Sequence, residues 1–343
     1  MPLDQSHLLS KYVGLGGKEP DLTKLGSTSW SKARKSAEKS ILDYAAKLLQ
    51  IQAQRQTMHG YAHPPDTRWM WEFENSFHHT LTTGQRDAIE DAKTDMESDK
   101  PMDRLICGDV GFGKTEVAMR AAFIAAQNGR QTAVLVPTTL LASQHHTNFR
   151  DRFASWPYAV EVVSRFQSAK DLRDIVDRVR SGKIDILVGT HKLLQSDFGF
   201  RDLGLLIIDE EHRFGVRHKE RLKEMRTEVD VLAMSATPIP RTLYLALVGA
   251  RDLSVIETPP RERLPIRTVV RSYDEKLVRD AVKAELARGG QVFYLHNRVE
   301  TIRAVAERLA ALVPKARIIV GHGQMGAGEL EETMSAFVAG EYD

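Results

Sequence analysis

The chain has 343 residues, 42% of them hydrophobic and 27% charged, enough for two or three domains that each bury a core. Its 48 Lys and Arg nearly cancel 46 Asp and Glu to leave +2, so a nucleic-acid contact has to be a local patch and not a global basic field. The single cysteine, Cys107, excludes a disulfide framework and fits a reducing cytoplasm, and no stretch reaches the ~20 apolar residues of a membrane span.

Residues 1–26 are glycine-punctuated, with Leu8, Leu9, Tyr12 and Val13 as the apolar content, too little to fold alone. Ser27 or Ser29 then caps a helical pattern reaching roughly Gln56, in which Trp30, Ala37, Ile41, Tyr44, Leu48 and Ile51 make one apolar stripe. Lys32, Arg34, Lys35 and Lys39 lie mostly off that stripe, as on a solvated face. His63-Pro64-Pro65 breaks the chain before the next element.

From Phe77 onward strands and helices alternate, the signature of an α/β fold with a doubly wound parallel sheet. Strands are expected at 103–107, 131–136, 184–188, 205–209, 229–234 and 253–257, with helices at 113–127, 138–152 and 168–180 between them. The run Thr258-Pro259-Pro260 through Pro265 reads as an interdomain hinge. A second alternation follows: strands at 266–272, 291–295 and 316–320, and helices at 274–288, 298–312 and from about 326. Three strands are few for such a lobe, so it reads as truncated.

Two stretches carry the chemistry. In the first, an apolar strand (Leu105 to Cys107) runs into Gly108-Asp109-Val110-Gly111-Phe112-Gly113-Lys114-Thr115 and then a helical pattern. Three glycines let successive N–H groups turn inward toward phosphate oxygens at a helix N-terminus. Lys114 is spaced to reach the β- and γ-phosphates, and the Thr115 hydroxyl to ligate Mg²⁺. In the second, Leu205-Leu-Ile-Ile208 delivers Asp209 and Glu210 at a strand's carboxyl end, where parallel sheets bind ligands. Asp209 is expected to hold Mg²⁺, and Glu210 to orient and deprotonate an attacking water. The implied activity is binding and hydrolysis of a nucleoside triphosphate.

Gly108–Thr115, Asp209-Glu-Glu-His212 and Ser235-Ala-Thr237 resemble motifs I, II and III of superfamily-two helicases and translocases. Val136-Pro-Thr-Thr-Leu140, Val188-Gly-Thr-His191 and Val292 to Asn297 resemble motifs Ia, Ib and IV. The wording from Cys107 to Arg120 and from Asp209 to Lys219, with Leu8–Tyr12 and Lys24–Gly26 ahead of the long helix, is similar to the bacterial transcription-repair coupling factor family. The resemblance covers essentially the whole chain.

That resemblance implies two RecA-like lobes, a complete one at 77–258 and, after a hinge, a truncated one within 259–343. It implies that 1–26 is the remnant of an RNA-polymerase-interacting domain and 27–76 a linker helix and connector. The implied function is ATP-dependent double-stranded-DNA translocation with Mg²⁺, displacing a stalled RNA polymerase in transcription-coupled repair. The partners implied are double-stranded DNA, RNA polymerase and, through an upstream region not present, the excision-repair machinery. Motifs V and VI, with a catalytic arginine, are expected beyond residue 343.

By the same resemblance Phe77 and Gln85 form an adenine-recognition element, although Phe77 also reads as core and Gln85 as a cap of a helix beginning near Gly84. Pro137, Thr138, Thr139, Gly189, Thr190 and His191 are placed to hold DNA phosphates, while Thr138 and Thr190 read equally as helix caps. His212, Ser235, Ala236 and Thr237 look like couplers of nucleotide state to lobe movement, or like residues that steady loops by local hydrogen bonds. The pairs His78-His79 and His145-His146 have no partner ligands at metal-site spacing and read as surface or packing histidines. A RecG-like fork-remodelling helicase and a non-hydrolysing ATP-gated polymerase-binding module are the alternatives.

Overall fold

The computed structural model describes residues 59–343 apart from 165–166, 195–197, 212–213, 215–228, 237–250, 262 and 264–265, together with residues 28, 31, 32, 34–36, 38 and 39, which are helical. The expected segment 1–26 and most of the expected helix to Gln56 lie outside the described residues. The chain divides into two units, Met1–Thr57 and Met58–Asp343, and the site lies in the second.

A short helix, α1 (Arg68–Asn75), is capped by Thr67, whose hydroxyl accepts from the Met70 N–H. Helix α2 (Thr83–Glu97) follows, closed at its start by a reciprocal capping box between Thr82 and Gln85. Then come β1 (Asp103–Gly108), α3 (Lys114–Gln127), β2 (Gln131–Leu135), α4 (Thr139–Phe153), β3 (Val160–Val163), α5 (Ala169–Arg180), β4 (Ile186–Gly189), β5 (Leu203–Asp209), β6 (Asp230–Ser235) and β7 (Asp252–Ile256).

All seven strands are parallel, in the order β3-β4-β2-β5-β6-β1-β7. Both faces are covered, so neighbouring residues of one strand enter two different cores. Ile106, Val134, Ile207 and Leu232 pack with Phe73, Phe123, Phe149 and Phe153 on one face. Leu105, Ala133, Leu206 and Val231 pack with Ile175, Val179 and Leu193 on the other. The first core is aromatic: Phe73 stacks on Phe123 at 4.1 Å, and Trp156 meets Phe123 edge-on at 5.0 Å. Such pairs add roughly 0.5–1.5 kcal/mol each beyond the area they bury. Strand β3 was not among the sequence expectations, although Val160-Glu-Val-Val163 is rich in β-branched residues.

After β7 the chain forms α6 (Glu275–Ala287), α7 (Val299–Leu312) and α8 (Ala327–Val338). Among the described residues the expected strands at 266–272, 291–295 and 316–320 do not form a ladder. The Val292 N–H donates instead to the Asp343 carbonyl at 2.7 Å, and the Asp343 N–H to the Arg317 carbonyl at 2.9 Å. One residue bridging two extended segments gives single bonds, whereas a ladder needs successive pairs. Phe293 and Leu295 are accordingly 79% and 90% exposed, and a cavity of about 220 Å³ opens between Val282, Val305, Leu309, Ile318 and Phe337.

Candidate nucleotide and nucleic-acid site

The strand order lines up the sequence motifs along the carboxyl edge of the sheet. From one side they run β4 with Gly189–His191, β2 with Pro137–Thr139, β5 with Asp209 and Glu210, β6 with Ser235 and Ala236, and β1 with the glycine loop. Segments as far apart in the chain as Cys107 and Ser235 therefore meet because their strands pair.

In the glycine loop, Gly111 and Gly113 have φ of 81° and 80°, the left-handed region where a side chain is strained. A Cβ on Gly113 would lie 2.2 Å from Gln85 Nε2, and one on Gly108 3.1 Å from the Ile256 carbonyl. Helix α3 starts immediately after, and its N-cap Gly113 offers no side-chain acceptor, so its first N–H groups remain for an anion. Lys114 Nζ bonds the carbonyls of Gly108 (2.6 Å) and Asp109 (3.0 Å). Burial lowers the Lys114 pKa, against the opposing pull of Asp209, Glu210 and Asp109. A half-buried ammonium near two carboxylates, beside a helix start capped by a glycine, fits a bound polyphosphate.

At the end of β5, Glu210 has φ 49°, and no other described non-glycine residue has a positive φ. That conformation costs about 1–2 kcal/mol, so the surroundings must hold it. The Glu210 N–H donates to the Met234 carbonyl of β6 at 3.0 Å, and the Ala236 N–H donates to Glu210 Oε1 at 3.3 Å. Ser235 Oγ is buried without a hydrogen-bond partner. The next carboxylate, Glu211, is taken by Arg251 (Nη1 to Oε2, 2.8 Å), which also meets Asp103 at 3.0 Å. Asp209 meets His145 Nε2 at 3.1 Å. His212 and Thr237 lie outside the described residues.

Among the described residues no group of three or more His, Cys, Asp or Glu is gathered to hold a metal. A Mg²⁺ would rest on the Thr115 hydroxyl and the Asp209 carboxylate, completed by phosphate oxygens and water, which is the sparse protein set this ion accepts.

Both polar ends of the Gln85 amide bond to its own chain. Its Oε1 accepts from the Thr82 N–H (2.9 Å), and its Nε2 donates to the Phe112 carbonyl (2.9 Å), so it both caps α2 and braces the glycine loop. Phe77 is half-buried, with His79 edge-on at 5.5 Å and the Arg120 and Arg152 guanidiniums at 5.8 and 5.6 Å.

On the other half of the edge, Thr138 is exposed and caps α4 by accepting from the Leu141 N–H. Thr139 donates to Glu331 on α8 at 2.9 Å. Pro137 is half-buried, His191 exposed, and Gly189 and Thr190 buried, so Thr138 and His191 are the members that face solvent.

Sequence reasoning missed three participants. His145 was read as an ordinary histidine, yet Ala142, His145, Phe149 and Phe153 share the buried stripe of α4 at three- and four-residue steps. Arg251 carried no local signal. Neither did Arg263, whose guanidinium meets Asp109 at 2.9 Å and lies 4.7 Å over the Phe112 ring, outside the loop. Beside Arg263, the Asp109 carboxyl is held below the usual carboxylate range.

Residues 82–245 match the family model for DEAD/DEAH box helicases. Relatives extend beyond it: the chain is 57% identical over 337 residues to the transcription-repair-coupling factor of Escherichia coli (strain K12), covering 98% of this chain and 29% of that one. With the same factor of Bacillus subtilis (strain 168) it shares 49% over its whole length, again 29% of the relative. The chain thus spans about 30% of the length of the curated relatives it matches. Among solved structures, RecG bound to a three-way DNA junction superposes with a TM-score of 0.69 at 33% identity, over 87% of this chain and 41% of that one. The helicase MrfA bound to DNA, at 17% identity and a TM-score of 0.59, shares the fold over 83% of this chain and 45% of that one. Among the described residues no helix is long and apolar enough to cross a membrane.

Proposed function

We propose that this chain is the nucleotide-hydrolysing part of an ATP-dependent double-stranded-DNA translocase that acts in cytoplasmic transcription-coupled repair. The observation that carries the reading is Lys114, half-buried at the start of α3 and facing Asp209 and Glu210 across the edge of the sheet. In this reading residues 77–258 form the nucleotide-binding lobe and 259–343 contribute to a second one. The identity with transcription-repair-coupling factors supports the biological setting, including displacement of a stalled RNA polymerase and contact with excision-repair proteins through regions outside this chain.

The chemistry follows from the side chains. The glycine-loop N–H groups and Lys114 hold the phosphates. Thr115 and Asp209 would hold Mg²⁺, which would neutralise phosphate charge there. Glu210 accepts the proton of a water in line with the γ-phosphate, and its bond from the Ala236 N–H fixes the oxygen that does not face that water. Thr138 and His191 touch the DNA backbone without reading bases.

Measuring ATP hydrolysis by this chain with and without linear duplex tests the reading. Turnover that is absent in wild type and Glu210→Gln alike, with no nucleotide binding in either, would overturn it. A RecG-like activity on forked DNA is the second reading, favoured by the 33% identity with RecG but exceeded by the 57% with the coupling factor. Preferential stimulation by a three-way junction over linear duplex would reverse that ranking.

A further inference from the structure

We infer that His145 is a positioning residue for Asp209: its Nε2–H holds one carboxylate oxygen and leaves the other for the cation. The inference rests on the reading that Asp209 binds Mg²⁺. His145 is 6% exposed, and its Nε2 lies 3.1 Å from Asp209 Oδ2 across 64 residues of chain. A carboxylate only accepts, so the imidazole must donate here. The other ring nitrogen, Nδ1, is buried without a hydrogen-bond partner, so Asp209 is the polar anchor of this ring.

A histidine kept only for packing would be replaceable by any ring of its size. Here the ring sits on the buried stripe of α4, between Ala142 and Phe149, and spends its one donor on a carboxylate at the site. The pairing of β5 with β6 fixes the Asp209 backbone but not its side-chain torsion. A single-carboxylate cation site is sensitive to that torsion, because the ion prefers near-ideal octahedral geometry. Partners of a ligating side chain that set its orientation typically contribute 10–100-fold in metal affinity. The N-cap of α4, Thr138, lies about 10 Å along the helix axis from His145 at 1.5 Å per residue. The carboxylate on the nucleotide side is thereby tied to the helix whose cap faces solvent on the other half of the edge.

The test is a Mg²⁺ titration of binding of a fluorescent, non-hydrolysable ATP analogue to the full chain, read as the Mg²⁺ concentration at half-saturation. His145→Phe keeps a ring and removes the donor; His145→Gln keeps a donor. Wild type is expected to need Mg²⁺ for tight binding, His145→Phe to need roughly tenfold more, and His145→Gln to stay near wild type. Binding measured in chelator, and the melting temperature, should be alike in all three. If the phenylalanine variant does not melt cooperatively, His145→Met, equally free of a donor, takes its place under the same expectation. An unchanged Mg²⁺ midpoint in the donor-free variant overturns the inference and leaves the cation site standing. Loss of metal-free binding in step with the midpoint overturns it as well. A wild-type chain whose binding ignores Mg²⁺ overturns the Asp209 reading, and this inference with it.

Discussion

The backbone N–H of Ala236 donates to Glu210 Oε1, so the carboxylate that ends β5 is held by the segment that ends β6. Glu210 also adopts a left-handed backbone and bonds the Met234 carbonyl. Two adjacent strands therefore set both the backbone and the side chain of the proposed base. A displacement of the 235–236 segment would move that proposed base, a physical route by which this motif would gate the proposed turnover.

From this follows a division between two variants. Lys114→Ala should abolish detectable nucleotide binding, because it removes the cation at the start of α3. Glu210→Gln should bind as wild type does and lose about 10²–10⁴-fold in turnover, the usual contribution of a positioned base. Equilibrium titration with a nucleotide analogue, paired with single-turnover hydrolysis, separates the two. Equal loss of affinity in both would contradict the assignment.

Lys114 should also carry a cost in the nucleotide-free state. Its folded pKa lies below that of an exposed lysine because burial disfavours the charge. The unfolded chain then binds more protons between the two values, so stability should rise with pH through that alkaline window. Lys114→Met should lose this rise relative to wild type. Urea denaturation at a series of alkaline pH values gives the comparison, and parallel curves for the two proteins would count against it.

Gly113→Ala should be harmful on two grounds. The φ of 80° costs an alanine about 1–2 kcal/mol, and the new methyl would meet Gln85 Nε2. Displacing Gln85 would also free the Phe112 carbonyl. Melting should drop and nucleotide affinity should fall together. Retained affinity with a lower melting temperature would show that the bond between Gln85 and the loop is dispensable for binding.

Arg251 supports the site from below by joining Asp103 at the start of β1 to Glu211 just after β5. Arg251→Met leaves both carboxylates without that partner and should destabilise the chain by about 3 kcal/mol, the lower end for breaking a buried pair. Chemical denaturation measures it. A shift of a few tenths of a kcal/mol would place the pair among ordinary surface contacts.

Thr138 separates capping from phosphate contact. Thr138→Asp keeps a strong N-cap for α4 but brings a negative charge to the edge where DNA is proposed to lie. Stability should be unchanged while duplex affinity falls, most clearly at low salt. Thr138→Ala should do the reverse in part, costing about 1 kcal/mol of stability for the lost cap. Equal duplex affinity for wild type and Thr138→Asp would remove this residue from the interface.

What could be read in advance was what chemistry forces into consecutive residues. The glycine loop needs its spacing, and Asp209 and Glu210 need an apolar strand before them, so both were visible locally. The parallel sheet was visible too, since strands buried on both faces read as continuous apolar runs. Strand β3 is short and lies at the edge of the sheet, and three of its four residues stay partly exposed, so its signal was weak. The three strands expected after the hinge were legible as apolar runs, but pairing depends on a neighbour that a run does not specify. His145, Arg251 and Arg263 act across 64, 40 and 154 residues, and those contacts depend on strand order and on the path of the chain after β7.

Strand pairing sets one more property, the pitch of the edge. Neighbouring strands lie about 4.8 Å apart, so the three steps from β2 through β5 and β6 to β1 fix roughly 14 Å between the ends of these strands. Backbone bonds hold that interval, and side-chain substitutions leave it alone. A ladder cannot stretch without unpairing, so any working stroke has to come from the segments beyond the strand ends, with the sheet as a stationary chassis.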